Sequence, residues 1–211
     1  VRYSDIIFQI YPILKKELIQ NEVWDLFTQI EMPLIKVLTA MEIEGIGIDK
    51  GVLEAYSKTL EKVELDCSLK IYKLANMEFN INSPKQLGGI LFDRMNLDKK
   101  VKKTKSGNYS TSEDTLVKIK NKHPIIEIIL EYREIKKLLS TYVKALPELV
   151  FKQRVHTTFS QSVAATGRLS STSPNLQNIP IRTVRGKKIR EAFTPKNNEY
   201  QLLSADYSQI E

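Results

Sequence analysis

The chain has 211 residues, 42% hydrophobic and 27% charged, which suits one large soluble domain or two small ones. No apolar stretch approaches the roughly 20 residues of a membrane span, so no membrane partner is expected. A net charge of +7 with a single cysteine, Cys67, excludes a disulfide scaffold and points to a polyanion, most often nucleic acid, in a reducing cytoplasm.

The opening "VRYSDIIFQI" lacks both an initiator Met and the charged-then-apolar layout of a signal peptide, so a piece of a longer chain is expected. Residues 5–30 read as helix, and "EVWDLFTQIEMPLIKVLTAMEIEG" continues into a second helix ending at Gly45, with Pro33 near its start. "GIGID" follows as a turn or short extended piece. Apolar positions then fall at Leu53, Tyr56, Leu60, Val63, Cys67 and Leu74, with Lys70 interrupting the series. A second set falls at Ile125, Ile128, Tyr132, Ile135, Leu139, Tyr142 and Leu146. Spacing of about 3.5 places each set in one narrow seam, which predicts two helices, each about 30–37 Å long, packed lengthwise. Pro124 opens the second helix and Pro147 lies near its end. Cys67, on the first seam, reads as a buried thiol.

Between the two helices, "NINSPKQLGGILFDRM" reads as a short helix capped by Ser83 ahead of Pro84. A basic loop follows, closed by Ser110-Thr111-Ser112-Glu113, a capping-box pattern. Residues 99–120 carry seven Lys against Glu113 and Asp114, a local charge of +5. Residues 46–150 therefore read as an arm, two stalk helices bearing a small basic tip suited to a phosphate backbone. After Pro147 the texture changes. "RVHTTFSQSV" alternates like a strand, with Val155, Thr157 and Phe159 on one face. A Gly/Pro/Ser/Asn-rich stretch leads to Arg182, Arg185, Lys187, Lys188 and Arg190, a second basic set. "IREAFTP" reads as a short helix or strand, and "YQLLSADYS" as a strand. His123 and His156 have no partner set for metal or nucleophilic chemistry.

The blocks "TGRLSSTSPNLQNIP", "IREAF" and "DYSQIE", in this order and spacing, resemble the family A DNA polymerases of the bacterial DNA polymerase I type. Farther upstream, "IEMPLIKVLTAMEIEGIGID", "FNINSPKQLGGILFD" and "YREIKKLLSTYVKALPEL" resemble that family's thumb, so the likeness covers nearly the whole chain. It implies an α+β fold. The thumb would be mainly helical, with two long antiparallel helices and a small helical tip. Short antiparallel strands of an incomplete palm sheet would follow. The implied domains are 1–30, the C-terminal end of a 3′–5′ exonuclease-like domain; 31–150, the thumb; and 151–211, the N-terminal part of the palm.

The resemblance also implies an activity, template-directed nucleotidyl transfer to a primer 3′-OH in DNA replication and repair. Primer–template DNA and deoxynucleoside triphosphates would be the partners, in a monomer associated with the nucleoid. Mg²⁺ is the implied cofactor, in a two-metal site only partly present here. Asp206 would be a catalytic metal ligand, with the Tyr207 carbonyl a further ligand; a hard carboxylate oxygen at a rigid strand end suits that ion. Glu211 would lie against the sugar of the incoming nucleotide and exclude a ribose 2′-OH.

Arg168 would enter the minor groove at the primer end, where contact checks pair shape without reading sequence, and Gly167 would permit close backbone approach. Asn175, Gln177, Asn178 and Arg182 would touch DNA near the active site. Asn82, Lys105, Ser110, Thr111, Ser112 and Lys137 would hold the duplex backbone. The triphosphate-gripping helix and second metal carboxylate of the family would lie beyond Glu211, so the chain alone is expected to be inactive. The rival expectation is a free-standing basic nucleic-acid-binding helical module without enzymatic activity.

Overall fold

Helix ends decide where this chain turns, and several fall at residues that no sequence pattern flags. The computed structural model describes residues 2–104 and 107–208, and the fold is α+β, helices with a few short antiparallel strands. Two compact units form, one of Val1–Ile48, Leu149–Asn178 and Thr194–Glu211, the other of Asp49–Glu148 and Ile179–Phe193.

In the first unit, α1 (Arg2–Gln20) stops ten residues short of the expected helix end. The stop is a Schellman turn. Glu22 takes a φ of 58°, its N–H donates to the Ile19 carbonyl, and the Val23 N–H donates to the Leu18 carbonyl. Glycine usually fills that left-handed position, and a glutamate there gives no warning. A near-continuous helix follows, from α2 (Trp24–Leu26) through one π turn (Phe27–Glu31) into α3 (Met32–Glu44). In the π turn the Met32 N–H reaches back five residues to the Phe27 carbonyl. The widening comes just before Pro33, which has no N–H and whose ring would crowd the carbonyl four residues earlier.

Gly45 ends α3 with a φ of 62°, and a Cβ there would sit 2.6 Å from the Val155 carbonyl oxygen. Glycine therefore permits the close pairing of β1 (Ile46–Ile48) with β2 (Arg154–Val155), antiparallel with Ile46 opposite Val155. Arg154 donates to the Glu44 and Gly45 carbonyls at 2.5 and 2.9 Å, satisfying groups the helix end leaves open. A second antiparallel pair joins β3 (Thr158–Ser160) to β4 (Ser170–Thr172). Val155 and Thr157 are buried and Phe159 is half-buried, the face expected from the alternation. The strand expected over "YQLLSADYS" is not formed. Among the described residues no strand lies beside it to take its backbone hydrogen bonds, and Leu203 is 92% exposed.

The second unit is built on α4 (Lys50–Ala75) packed along α7 (Pro124–Leu138), the lengthwise pair the periodicity predicts. Asp49 caps α4 by accepting from the Val52 N–H, and at 26 residues the helix is about 39 Å long. Leu53, Tyr56, Leu60 and Cys67 line the seam, but Ile71 and Ala75 complete it in place of Leu74, and Val63 is half-buried. A helix of 3.6 residues per turn drifts from a 3.5 spacing, and the step of four after Cys67 absorbs the drift. On α7, Ile126, Ile129 and Leu138 are buried beyond the expected set, and Ile128 is only half-buried. A π turn (Leu139–Val143) then leads to α8 (Ala145–Glu148).

Ser83 caps α5 (Pro84–Gly88) as expected. For α6 (Glu113–Lys118) the cap is Ser112, not Ser110: its hydroxyl accepts from the Thr115 N–H, which places Glu113 at the first helical position. In α9 (Val184–Arg190), a Cβ at Gly186 would lie 2.5 Å from the Pro180 Cβ, so the helix sits directly on that proline. The short strand β5 (Phe193–Thr194) ends this stretch. The seam assignment predicts that Ile71→Ala lowers stability by about 2–5 kcal/mol, while Leu74→Ala costs about 1 kcal/mol or less. Urea unfolding midpoints of the two variants check this, and the reverse order would overturn the assignment.

Candidate functional site

In the first unit, the loop between β3 and β4 and the turn after β4 are held by buried hydroxyls. Thr157 and Ser171 are 7% and 1% exposed, and their hydroxyl oxygens lie 2.6 Å apart. The Thr157 hydroxyl is 2.8 Å from the Pro174 carbonyl, and the Ser171 hydroxyl accepts from the Leu176 N–H. Gln177 braces the same turn, its amide oxygen accepting from the Ser171 N–H at 3.1 Å and its amide nitrogen donating to the Leu169 carbonyl at 3.0 Å. The Asn175 side-chain Oδ1 accepts from the Gln177 backbone N–H at 3.0 Å. Asn175 and Gln177, expected at DNA, therefore also hold the backbone that carries the exposed Arg168 and Asn178. Gly167 has a φ of 75° and no neighbour within 4 Å of a Cβ built there, so its local requirement is conformation and not clearance.

Asp206 and Tyr207 are exposed on the irregular stretch that follows β5. Glu211, expected as a catalytic-site residue against the nucleotide sugar, lies outside the described residues, as does Lys105 of the basic loop. Among the described residues no three His, Cys, Asp or Glu side chains gather into a set able to hold a metal ion.

In the second unit the tip forms a hydroxyl cluster. The Ser110 and Ser112 oxygens lie 3.2 Å apart, and each is within 3.0 Å of the Thr115 hydroxyl. Thr111, expected at the duplex, is buried; its carbonyl and hydroxyl accept from the Arg133 guanidinium. Burial holds the Arg133 pKa below its ordinary value, against a smaller opposing pull from Glu113. Asn82 donates to the Tyr132 hydroxyl at 3.2 Å, which ties the entrance of α5 to the stalk. Tyr109 donates to Asp93 at 2.7 Å with the Lys103 ammonium over its ring.

A cleft runs along the outer face of α7, lined by Lys137, Glu131, Glu134 and Arg185 among others. Arg185 donates to Glu134 at 3.1 Å and to Glu131, and its carbonyl accepts from the Tyr56 hydroxyl at 3.1 Å. Burial pushes the Tyr56 phenol above its ordinary pKa. Arg182 and Lys187 are exposed, Lys188 pairs with Glu191, and Arg190 reaches the Ile179 carbonyl. The basic set of 182–190 is thus not uniform. Sequence reasoning missed the Arg185 clamp and the Arg133 support because both join residues far apart in the chain, and a basic run does not show which cation is paired.

The sequence profile of DNA polymerase family A matches residues 50–211. DNA polymerase I of a Synechocystis species is 53% identical over 94% of this chain and 20% of its own length. DNA polymerase I of Geobacillus stearothermophilus is 47% identical over 100% of this chain and 24% of its own length. The chain thus spans about a fifth to a quarter of these curated relatives. Among solved structures, the polymerase domain of Pol1 from M. smegmatis, in complex with DNA primer-template and dNTP, matches with a TM-score of 0.80 and 42% identity. That match covers 85% of this chain and 32% of the other.

The brace assigned to Gln177 has a direct test. Gln177→Glu keeps the acceptor for Ser171 but turns a carboxylate oxygen toward the Leu169 carbonyl, a mismatch costing about 1–3 kcal/mol. Amide hydrogen exchange at residues 169–172 is expected to speed up by roughly one to two orders of magnitude. Unchanged exchange there would remove Gln177 from the turn.

Proposed function

We propose that this chain, which belongs to DNA polymerase family A, is the thumb and the first part of the palm of an enzyme that extends a DNA primer on a template. Residues 1–30 end a 3′–5′ exonuclease-like domain, 31–150 form the thumb and 151–211 begin the palm. The observation that carries this reading is the family match over 50–211, which contains every residue assigned to DNA, metal or nucleotide. In the reaction, the primer 3′-hydroxyl oxygen bonds to the α-phosphorus of a deoxynucleoside triphosphate, the bond to the bridging oxygen breaks, and pyrophosphate leaves.

Each residue type suits its role. The hydroxyls of Ser110 and Ser112, with Asn82, Lys105 and Lys137, hold the duplex backbone without reading bases, and the buried Thr111 positions the tip between them. Arg168 lies in the minor groove at the primer end, with Asn175, Gln177, Asn178 and Arg182 near it, where base-pair acceptors occupy nearly equivalent places in every sequence. Asp206 and the Tyr207 carbonyl offer hard oxygens of the kind Mg²⁺ takes, though the described residues supply no closed site. When bound, divalent ions activate the attacking hydroxyl and neutralise charge on the departing pyrophosphate. With one carboxylate of such a centre, the chain by itself binds duplex but does not extend it.

In the intact protein, Asp206→Ala is expected to lower the rate of single-nucleotide incorporation by at least about a thousandfold while duplex affinity changes by less than about threefold. Rapid-quench incorporation and duplex titration measure the two, and near-normal extension would remove Asp206 from the metal. For Glu211, assigned here to the sugar of the incoming nucleotide, Glu211→Ala is expected to admit ribonucleotides. The ratio of incorporation efficiencies for deoxy- over ribonucleotides should fall by roughly two orders of magnitude or more. A ratio equal to wild type would leave Glu211 as an ordinary acid.

A further inference from the structure

The cleft along α7 is an unusual place for a polyanion. It is lined by four glutamates as well as four basic residues. Three of those basic residues are already engaged. Lys120 pairs with Glu127 at 2.9 Å, Arg133 serves Thr111, and Arg185 serves Glu131 and Glu134. Lys137 is exposed and has no hydrogen bond or ion pair among the described residues. Glu134 precedes Lys137 by three residues on the same helix, a spacing at which the two side chains meet.

The geometry points to Arg185 as a positioning residue that acts through Glu131 and Glu134 and keeps Lys137 unpaired for a phosphate of the duplex. Arg185 is not itself a phosphate ligand. Its guanidinium fork draws both carboxylates toward α9 and offsets their charge, a task that suits its planar, multi-donor geometry. The Tyr56 hydroxyl on α4 holds the Arg185 backbone, and Gly186 on Pro180 fixes the start of α9, so the fork is aimed from a rigid base. Without Arg185, Glu134 is free to capture Lys137 and two carboxylates face the incoming backbone. This inference rests on the reading of Lys137 as a duplex contact.

The test is a set of variants in the intact protein, each titrated with primer–template duplexes of unrelated sequence at several salt concentrations. Lys137→Ala is expected to weaken binding about fivefold at low salt and to reduce the salt slope by about 1. Arg185→Ala should do the same, yet add nothing in the Lys137→Ala background. The triple variant R185A/E131Q/E134Q should bind within about twofold of wild type. A purely structural brace would not be rescued by neutral glutamines, and a direct phosphate ligand would still weaken binding when Lys137 is absent. Either result overturns the inference and leaves the functional reading standing. If Lys137→Ala binds like wild type, or the intact protein does not bind duplex, the reading of α7 as a DNA surface fails and the inference falls with it. Where Arg185→Ala alone does not fold, the triple variant, which leaves neither carboxylate charged without its partner, decides the point by itself.

Discussion

Removing water from the facing sides of α4 and α7 is what gives the second unit a frame to which its polar parts can be fixed. Leu53, Leu60, Ile71, Ile125, Ile129 and Ile135 are essentially fully buried in this unit. Apolar burial has no direction of its own, but interdigitated side chains at native packing density leave a helix pair few alternative positions. Ion pairs at the rim, Lys136 with Glu64 at 2.6 Å and Lys144 with Glu61 at 2.7 Å, fix register more than they add stability. The tip inherits this rigidity through Asn82 on Tyr132 and Thr111 on Arg133, since both partners stand on α7.

The same frame explains how a basic chain can keep cations toward solvent without collapsing onto its own acids. Positive charge is divided between groups engaged with carboxylates or carbonyls and groups left toward solvent. In α9 and the cleft beside it, Arg185 and Arg190 belong to the first kind, and Arg182, Lys187 and Lys137 to the second. The first unit follows a different principle. Its loop after β4 is organised by neutral buried hydroxyls and one amide, where a satisfied network in low dielectric resists deformation more than isolated hydrogen bonds do. Both strategies hold backbone and side chains in place before any ligand arrives.

Periodicity carried the long helices in the sequence because burial on one face leaves a mark every three or four residues. The seam from Leu53 to Cys67 was legible for that reason, and it went astray at Leu74, where helix drift and the narrow-seam expectation part. Local cap chemistry was legible at Ser83 and misplaced by two residues at Ser110, because three neighbouring hydroxyls compete for one role. The end of α1 was invisible, since Glu22 adopts a backbone conformation that its side chain does not advertise. The strand expected at Leu202 and Leu203 depends on a neighbour, and hydropathy says nothing of whether one is present. For the candidate site, residue types and order were readable through the family likeness. The division of labour within them, with Thr111 buried, Gln177 bracing its own turn and Arg185 clamped by two glutamates, depends on contacts over long sequence distances.

Cys67, the chain's only cysteine, is 2% exposed on the α4 seam, and burial holds its thiol above the ordinary pKa. The reactive species of a cysteine is the thiolate, so this sulfur is protected twice, by lack of access and by lack of ionisation. A thiol reagent can reach it only while the two stalk helices are apart. Its labelling rate is therefore a clock for helix separation, supplied by the native sequence and in need of no introduced probe. Any ligand that clasps the stalk would slow that clock, which makes one inert-looking sulfur a built-in gauge of how often the arm breathes.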